Sequence, residues 1–173
     1  MSMLAGMATI ALMLPAAAQA CEGAGAAPGE LSVDQARSTI LCLVNERRRQ
    51  AGVRAVRDES RLTRAAQRHS NTMDSRNFFS HSSPGGGSPV SRIRRSGYMA
   101  GADSWAVAEI IRWGESSAGT PKAAIAAWMA SPPHRSAMLS GRYRHIGIGI
   151  TIGSPAGDGS DAAIYTADLG NRG

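Results

Sequence analysis

The sequence predicts an α+β domain, and three observations carry that reading. Apolar residues keep helical spacing through most of residues 32–139, and the C-terminal third switches to a period of two. The 173 residues suffice for one domain rather than two, without internal repeats or low-complexity runs beyond a short linker. Helices first and an antiparallel hairpin last is the pattern of an α+β fold rather than an alternating α/β fold.

The elements follow in order. Ser32 opens a first helix, and Gln35 three residues on completes a capping box. Val33, Ala36, Ile40, Leu43, Val44 and Ala51 share one face of it, and Gly52 ends it. A second helix runs from Ser60 to Arg76, burying Leu62, Ala65, Ala66, His69 and Met73. Ser88-Pro89 starts a short third helix that stops at Gly97, and Thr120-Pro121 starts a fourth through Ala124, Ile125 and Trp128. Ser131-Pro132 restarts the chain as a helical segment through Leu139. In Ile146–Ile152 every isoleucine faces one side of a strand, leaving glycines on the other, where another backbone or a ligand comes close. Gly153 to Gly159 is a turn-rich connection, and Ala162 to Leu169 is the second strand of the hairpin.

Residues 1–20 read as a signal peptide. Met3 to Leu14 is apolar, and Pro15 to Ala20 ends in the small-x-small pattern of a cleavage site, although no Lys or Arg precedes the apolar run. The stretch is too short for a membrane span, so the protein is not expected to be transmembrane. Residues 21–30, rich in Gly, Ala and Pro, read as a flexible linker, and residues 31–173 as the domain. Cys21 follows the cleavage point, which also allows a lipid anchor, but Ala18 stands where a lipoprotein site carries a Leu-like residue. A secreted or extracellular soluble form, with Cys21 and Cys42 joined as the only cysteine pair, is therefore the expectation. The net charge of +6 rests on 18 arginines and one lysine spread over helix faces. That distribution reads as a solvated basic surface, with attraction to an anionic cell wall or membrane as its functional alternative. Nucleic acid is not an expected partner.

The chemistry centres on two segments. Phe78-Phe79-Ser80-His81 and Trp128-Met129-Ala130-Ser131-Pro132-Pro133-His134 each place a histidine past an anchor, 53 residues apart, with Glu109 between them. Two imidazoles and a carboxylate can form a divalent-metal site or an acid/base site.

The ordered motifs resemble the CAP superfamily, the SCP-like extracellular domain, in its bacterial secreted branch. They run from Leu43-Val44-Asn45-Glu46-Arg47 through Arg61-Leu62, Ala65-Ala66 and His69-Ser70 to Phe78-Phe79-Ser80-His81. Arg92-Ile93, Gly97-Tyr98, Glu109-Ile110 and Trp113-Gly114 follow, then Trp128 to Arg135, Met138-Leu139, Ile146 to Gly149 and Tyr165-Thr166-Ala167-Asp168. The resemblance covers Leu41 to Gly170 and implies an α–β–α sandwich, with a small antiparallel sheet between helical layers and a surface cleft. It also implies that His81 and His134 match two cleft histidines and Glu109 the first acidic position, a set able to hold Zn2+ or another divalent cation. Two departures stand out: Ile110 replaces the usual asparagine, and Ser131 occupies the second acidic position. A three-ligand open site of His81, His134 and Glu109 remains chemically reasonable for zinc.

Alternatives to a site exist for each residue. Either histidine alone could stitch loops to the helical layer, and Glu109 could fix a loop through backbone amides. His69 is expected in the core and His145 at the exposed start of its strand, neither in the site. Ser131, His134 and Asp168 do not make a serine-hydrolase triad, because Ser131 reads as a helix cap and no strained nucleophile turn exists. Tyr165 and Asp168, on opposite strand faces, are expected to split between core and rim. Trp105, Trp113 and Trp128 read as core and cleft-wall residues.

Two function classes remain. One is a monomeric binding module whose cleft takes a cell-envelope ligand: cell-wall glycan, lipid or extracellular protein, contacted by His81, Glu109, Ser131 and His134. The other is a zinc-assisted hydrolase of peptide or peptidoglycan, with Glu109, His81 and His134 as its catalytic residues. The missing second acid and asparagine favour binding over catalysis, since a hydrolase needs a base besides its ligands.

Overall fold

The computed structural model describes residues 21–158 and 160–173. The signal-peptide reading of residues 1–20 lies outside the described residues. The elements are α1 (Val33–Gln50), β1 (Arg57–Asp58), α2 (Ser60–Ser75), α3 (Pro89–Arg95), β2 (Trp105–Glu115), α4 (Pro121–Ala130), α5 (Pro132–Leu139), β3 (His145–Ile152) and β4 (Ala162–Arg172). A single 3-10 turn, Ser116–Gly119, joins β2 to α4. Among the described residues, no helix is long and apolar enough to cross a membrane.

The helix ends obey their local signals. Ser32 and Gln35 form the reciprocal capping box of α1, and Gly52 beyond its C-terminus takes φ +68°, a left-handed conformation that costs glycine little. Thr120 caps α4 and Ser88 caps α3 through their side chains, each followed by proline at the first turn. Ser131 opens α5, but its side chain makes no capping hydrogen bond, contrary to the cap reading of that hydroxyl.

The sheet has the order β1-β3-β4-β2. It is mixed rather than wholly antiparallel: β3–β4 and β4–β2 pair antiparallel, while two-residue β1 lies parallel to β3. The eleven-residue strand β2 is the principal element missed by sequence reading. Its apolar residues fall on both faces, because helices cover both, so the alternation that betrays a half-exposed strand is blurred.

The two sheet faces bury different helices. Ile146, Ile148 and Ile150, with Ile110, Tyr165, Ala167 and Leu169, join Ile40, Val44, Ile125 and Trp128 in the larger core beneath α1, α4 and α5. The indole N–H of Trp128 donates to the Ile111 carbonyl at 3.2 Å, so the ring is both packed and satisfied. On the other face the bare glycines meet a backbone. A Cβ at Gly147 would lie 2.1 Å from the Leu62 carbonyl carbon, and one at Gly149 would lie 2.3 Å from that of Ala66. Helix α2 therefore rests directly on β3, and the Ser70 hydroxyl bonds the Gly149 carbonyl and the Thr166 hydroxyl beneath it.

Two arginines depart from the solvated-surface expectation. Arg48 is fully buried and donates to the carbonyls of Arg54, Met138, Ser140 and Tyr143, sewing the end of α1 to the α5–β3 connection. Arg92 is also buried and belongs to the site. Residues 21–30 form successive turns, with the Lys122 N–H donating to the Ala24 carbonyl at 2.8 Å. Cys21 and Cys42 are bonded, with 5.8 Å between their Cα atoms. Closing that loop removes roughly 3 kcal/mol of unfolded-state entropy in the chain-entropy picture.

Candidate functional site

Glu109 is the centre of the site. It lies midway along β2, which forms one edge of the sheet, with its side chain on the α2 face and only 1% exposed. A buried carboxylate survives only if both oxygens are satisfied by strong donors. One oxygen accepts from His81 Nδ1 at 2.8 Å, and the other accepts from Arg92 Nη2 at 2.6 Å. Arg92 is fixed in turn, donating to the carbonyls of His81 and Gly87 and to the Ser83 hydroxyl. Burial pushes the Glu109 carboxyl up, but the His81 hydrogen bond and the Arg92 guanidinium together hold it below the usual range.

The second carboxyl at the site was expected elsewhere. Asp168 sits directly opposite Glu109 in the β2–β4 ladder and is fully buried, not at a rim, because α2 covers this face of the sheet. Like charges directly opposite one another are unfavourable. Neither Asp168 oxygen accepts a hydrogen bond from a described group, while burial, followed by the Glu109 charge, raises its carboxyl well above the usual range. Burial and the facing charge both favour the neutral, protonated form of Asp168 beside the Glu109 carboxylate. The pair then shares one proton and carries one negative charge, balanced by Arg92.

The histidines divide into three kinds. His81, on the loop after α2, has a half-exposed side chain; its Nδ1–H points to an acceptor-only carboxylate, so Nε2 holds the free lone pair in the neutral ring. His134, near the start of α5, is partly buried; burial and then proximity to His81 lower its basicity. His69 is buried as expected, yet it also belongs to the cluster: its Nε2 lies 3.8 Å from Glu109 and 3.0 Å from the Ser80 carbonyl. Burial lowers its basicity most, leaving a neutral ring that donates to Ser80 and fixes the loop carrying His81. His145 lies apart and is half-buried, not at an exposed strand start, with its Nδ1 2.9 Å from the Tyr98 hydroxyl.

Ser131 stands at the α4–α5 junction, three residues before His134. Trp128 is core, Trp113 half-buried and Trp105 exposed. Tyr165 is core as expected, its hydroxyl donating to the Gly119 carbonyl at 2.6 Å. Among the described residues, no group of three or more His, Cys, Asp or Glu is placed to hold a metal ion. The donor set explains this: both Glu109 oxygens already accept from protein donors, which leaves His81 Nε2 and the His134 imidazole as the ring nitrogens available to a cation.

Arg92, Asp168 and His69 are the members that sequence reasoning did not place in the site. Asp168 did leave a signal, as a lone acid in an otherwise apolar strand. Arg92 appeared only within the Arg92-Ile93 motif, and its role did not show there, because a single arginine among eighteen is indistinguishable from surface charge.

The comparisons with known proteins agree with this architecture. The profile of the cysteine-rich secretory protein family, CAP, matches residues 41–167. The uncharacterized protein YkwD of Bacillus subtilis is 30% identical over 136 residues, 78% of this chain, and the match spans only 49% of that relative's length. Among solved structures, an outer surface protein from Borrelia burgdorferi superposes with a TM-score of 0.69 at 17% identity, over 83% of this chain and 97% of that one. An extracellular SCP-domain protein from Bacillus anthracis gives 0.64 at 23% identity, over 82% and 44%. At these identities the structural matches speak for the fold.

Proposed function

This chain belongs to the CAP, or cysteine-rich secretory protein, family, and from that premise we propose that it is a secreted bacterial binding module for a cell-envelope ligand. The ligand contacts His81, His134 and Ser131 at the edge of β2, and Glu109 acts from behind as the anchor of His81. One observation carries this reading: Glu109 has no free oxygen. Each oxygen already accepts a bond, one from His81 and one from Arg92, and these hold the carboxyl below its usual range, which makes it a weak base toward water. Ile110, buried on the opposite sheet face, adds no side-chain donor for a developing oxyanion.

The runner-up, a zinc-assisted hydrolase of peptide or peptidoglycan, draws on a specific feature. A histidine whose Nδ1–H is held by a carboxylate is the usual outer partner arrangement of a metal-binding imidazole. His81 and His134 would hold a divalent cation there, and that cation would supply Lewis acidity to a bound oxygen. Glu109 would then orient His81 rather than ligate, leaving a hydrolase with no base beside its ligands.

The purified domain, incubated with zinc and isolated cell-wall sacculi, distinguishes the two. Retention on the sacculi without release of muropeptides is expected, with retention weakened about tenfold in His81→Ala and His134→Ala. Zinc-dependent muropeptide release that disappears in Glu109→Gln would move the protein to the hydrolases.

A further inference from the structure

We propose a second site on this domain: a pocket for a phosphate group, built between α2, α3 and the loop Ser83–Gly87. It is a cavity of about 390 Å3, the size of a small headgroup rather than of a single ion. Its walls bring three arginines together. Arg68 projects from α2 on the face shared with Ala65 and Thr72, Arg95 comes from the end of α3, and Arg92 lies between them. No acidic side chain is among the lining residues.

Three features separate this pocket from an ordinary basic surface. Arg68 and Arg95 are exposed, and among the described residues neither makes a side-chain hydrogen bond or ion pair that would occupy its guanidinium. Planar guanidinium forks match phosphate oxygens two at a time, which makes such a pair suited to an oxyanion. Second, the buried Arg92, whose side chain is 7% exposed, is locked on Glu109 and three loop acceptors, which fixes the loop Ser83–Gly87 as a rigid wall of the cavity. Third, the loop brings backbone and hydroxyl rather than bulk to the rim. Ser83 and Gly87 form a bridged pair across Pro84-Gly85-Gly86, Gly85 and Gly86 take φ of +93° and +95°, and a Cβ at either would meet nothing. Arg76 holds that loop through the Pro84 carbonyl at 3.1 Å. The Ser83 and Thr72 hydroxyls complete a polar lining, and Ala65 and Pro84 offer an apolar wall for the carbon part of an ester.

The pocket adjoins the His81–Glu109 site through Arg92, and its exposed arginines, Arg68 and Arg95, let it be tested apart from that site. Titration of the domain with inorganic phosphate and with glycerol 1-phosphate, followed by amide NMR shifts, should report saturable binding at residues 83–87 that weakens with added salt. Arg68→Ala and Arg95→Ala should each lower affinity about tenfold, while the distant exposed Arg49→Ala leaves it unchanged. Vesicles of phosphatidylglycerol against phosphatidylcholine separate the sources. Arginine-dependent retention on the first alone, without binding of the free phosphates, assigns a lipid headgroup; binding of glycerol 1-phosphate without vesicle retention assigns a soluble ester. Equal losses in Arg49→Ala, or no binding to phosphate, its glycerol ester or either vesicle, overturn the site.

Discussion

Removing the charge of Glu109 should cost far more in one background than in another. In Glu109→Gln the amide offers one acceptor where His81 and Arg92 require two, and Arg92 is left as a buried cation. Breaking a buried pair in this way typically costs about 3–5 kcal/mol. Here a reserve exists: burial, and after it the Glu109 charge, hold the carboxyl of Asp168, directly opposite, well above its usual range. Once Glu109 is neutral, Asp168 releases its proton and supplies the missing charge near Arg92. The cost of Glu109→Gln at neutral pH should therefore fall to about 1–3 kcal/mol in the wild-type background and recover its full size in Asp168→Asn, a coupling of roughly 2 kcal/mol. Urea denaturation of the four proteins at pH 7 measures it, and thermal melts should show the double variant lower than additivity by about 4–8 °C. A coupling below about 0.5 kcal/mol, the scatter of independent sites, would refute the shared-proton account.

Two further outcomes follow from the same structure. The Asp168 carboxyl is raised in the fold above its ordinary 3.8, so the folded state keeps a proton that the unfolded state loses. Wild-type stability should thus fall as pH rises from about 4 through the folded value; denaturation across pH 4–8 should show Asp168→Asn gaining on wild type over that window and matching it below, and a constant difference would contradict the assignment. Gly149→Ala would put a Cβ 2.3 Å from the α2 backbone, with no flexible side chain able to yield. It should cost about 3 kcal/mol or more and move the NMR signals of His69 and Ser70 on α2, whereas Gly141→Ala, in open space, should do neither.

Much of this fold was legible because its signals are local. Ser32 with Gln35, Ser88-Pro89 and Thr120-Pro121 announce helix starts, and the isoleucine–glycine alternation of β3 announces both a strand and the close backbone behind it. What escaped depends on tertiary cover. Strand β2 has apolar residues on both faces since helices lie on both, and the parallel pairing of Arg57 and Asp58 with β3 is two residues long. The same holds in the site. His81, Glu109 and His134 stand out as residue types in a family pattern, whereas the roles of Arg92, His69 and Asp168 follow from which side chains are buried beside Glu109. Periodicity placed His69 in the core correctly, but it carried no information about which buried carboxylate lay next to it.

The contact between α2 and β3 sets an unusual rule for anyone wishing to make this protein more robust. Strand glycines are the ordinary targets of such work, since a β-branched replacement adds packing and stiffens the unfolded chain. At Gly147 and Gly149 the space such a side chain would occupy already belongs to the helix backbone. The joint is specified by hydrogen atoms where other residues have carbon, so it can be spoiled by addition but not improved by it. Reinforcement has to come from the other face of the same strand, where Ile146, Ile148 and Ile150 still leave side chains to exchange.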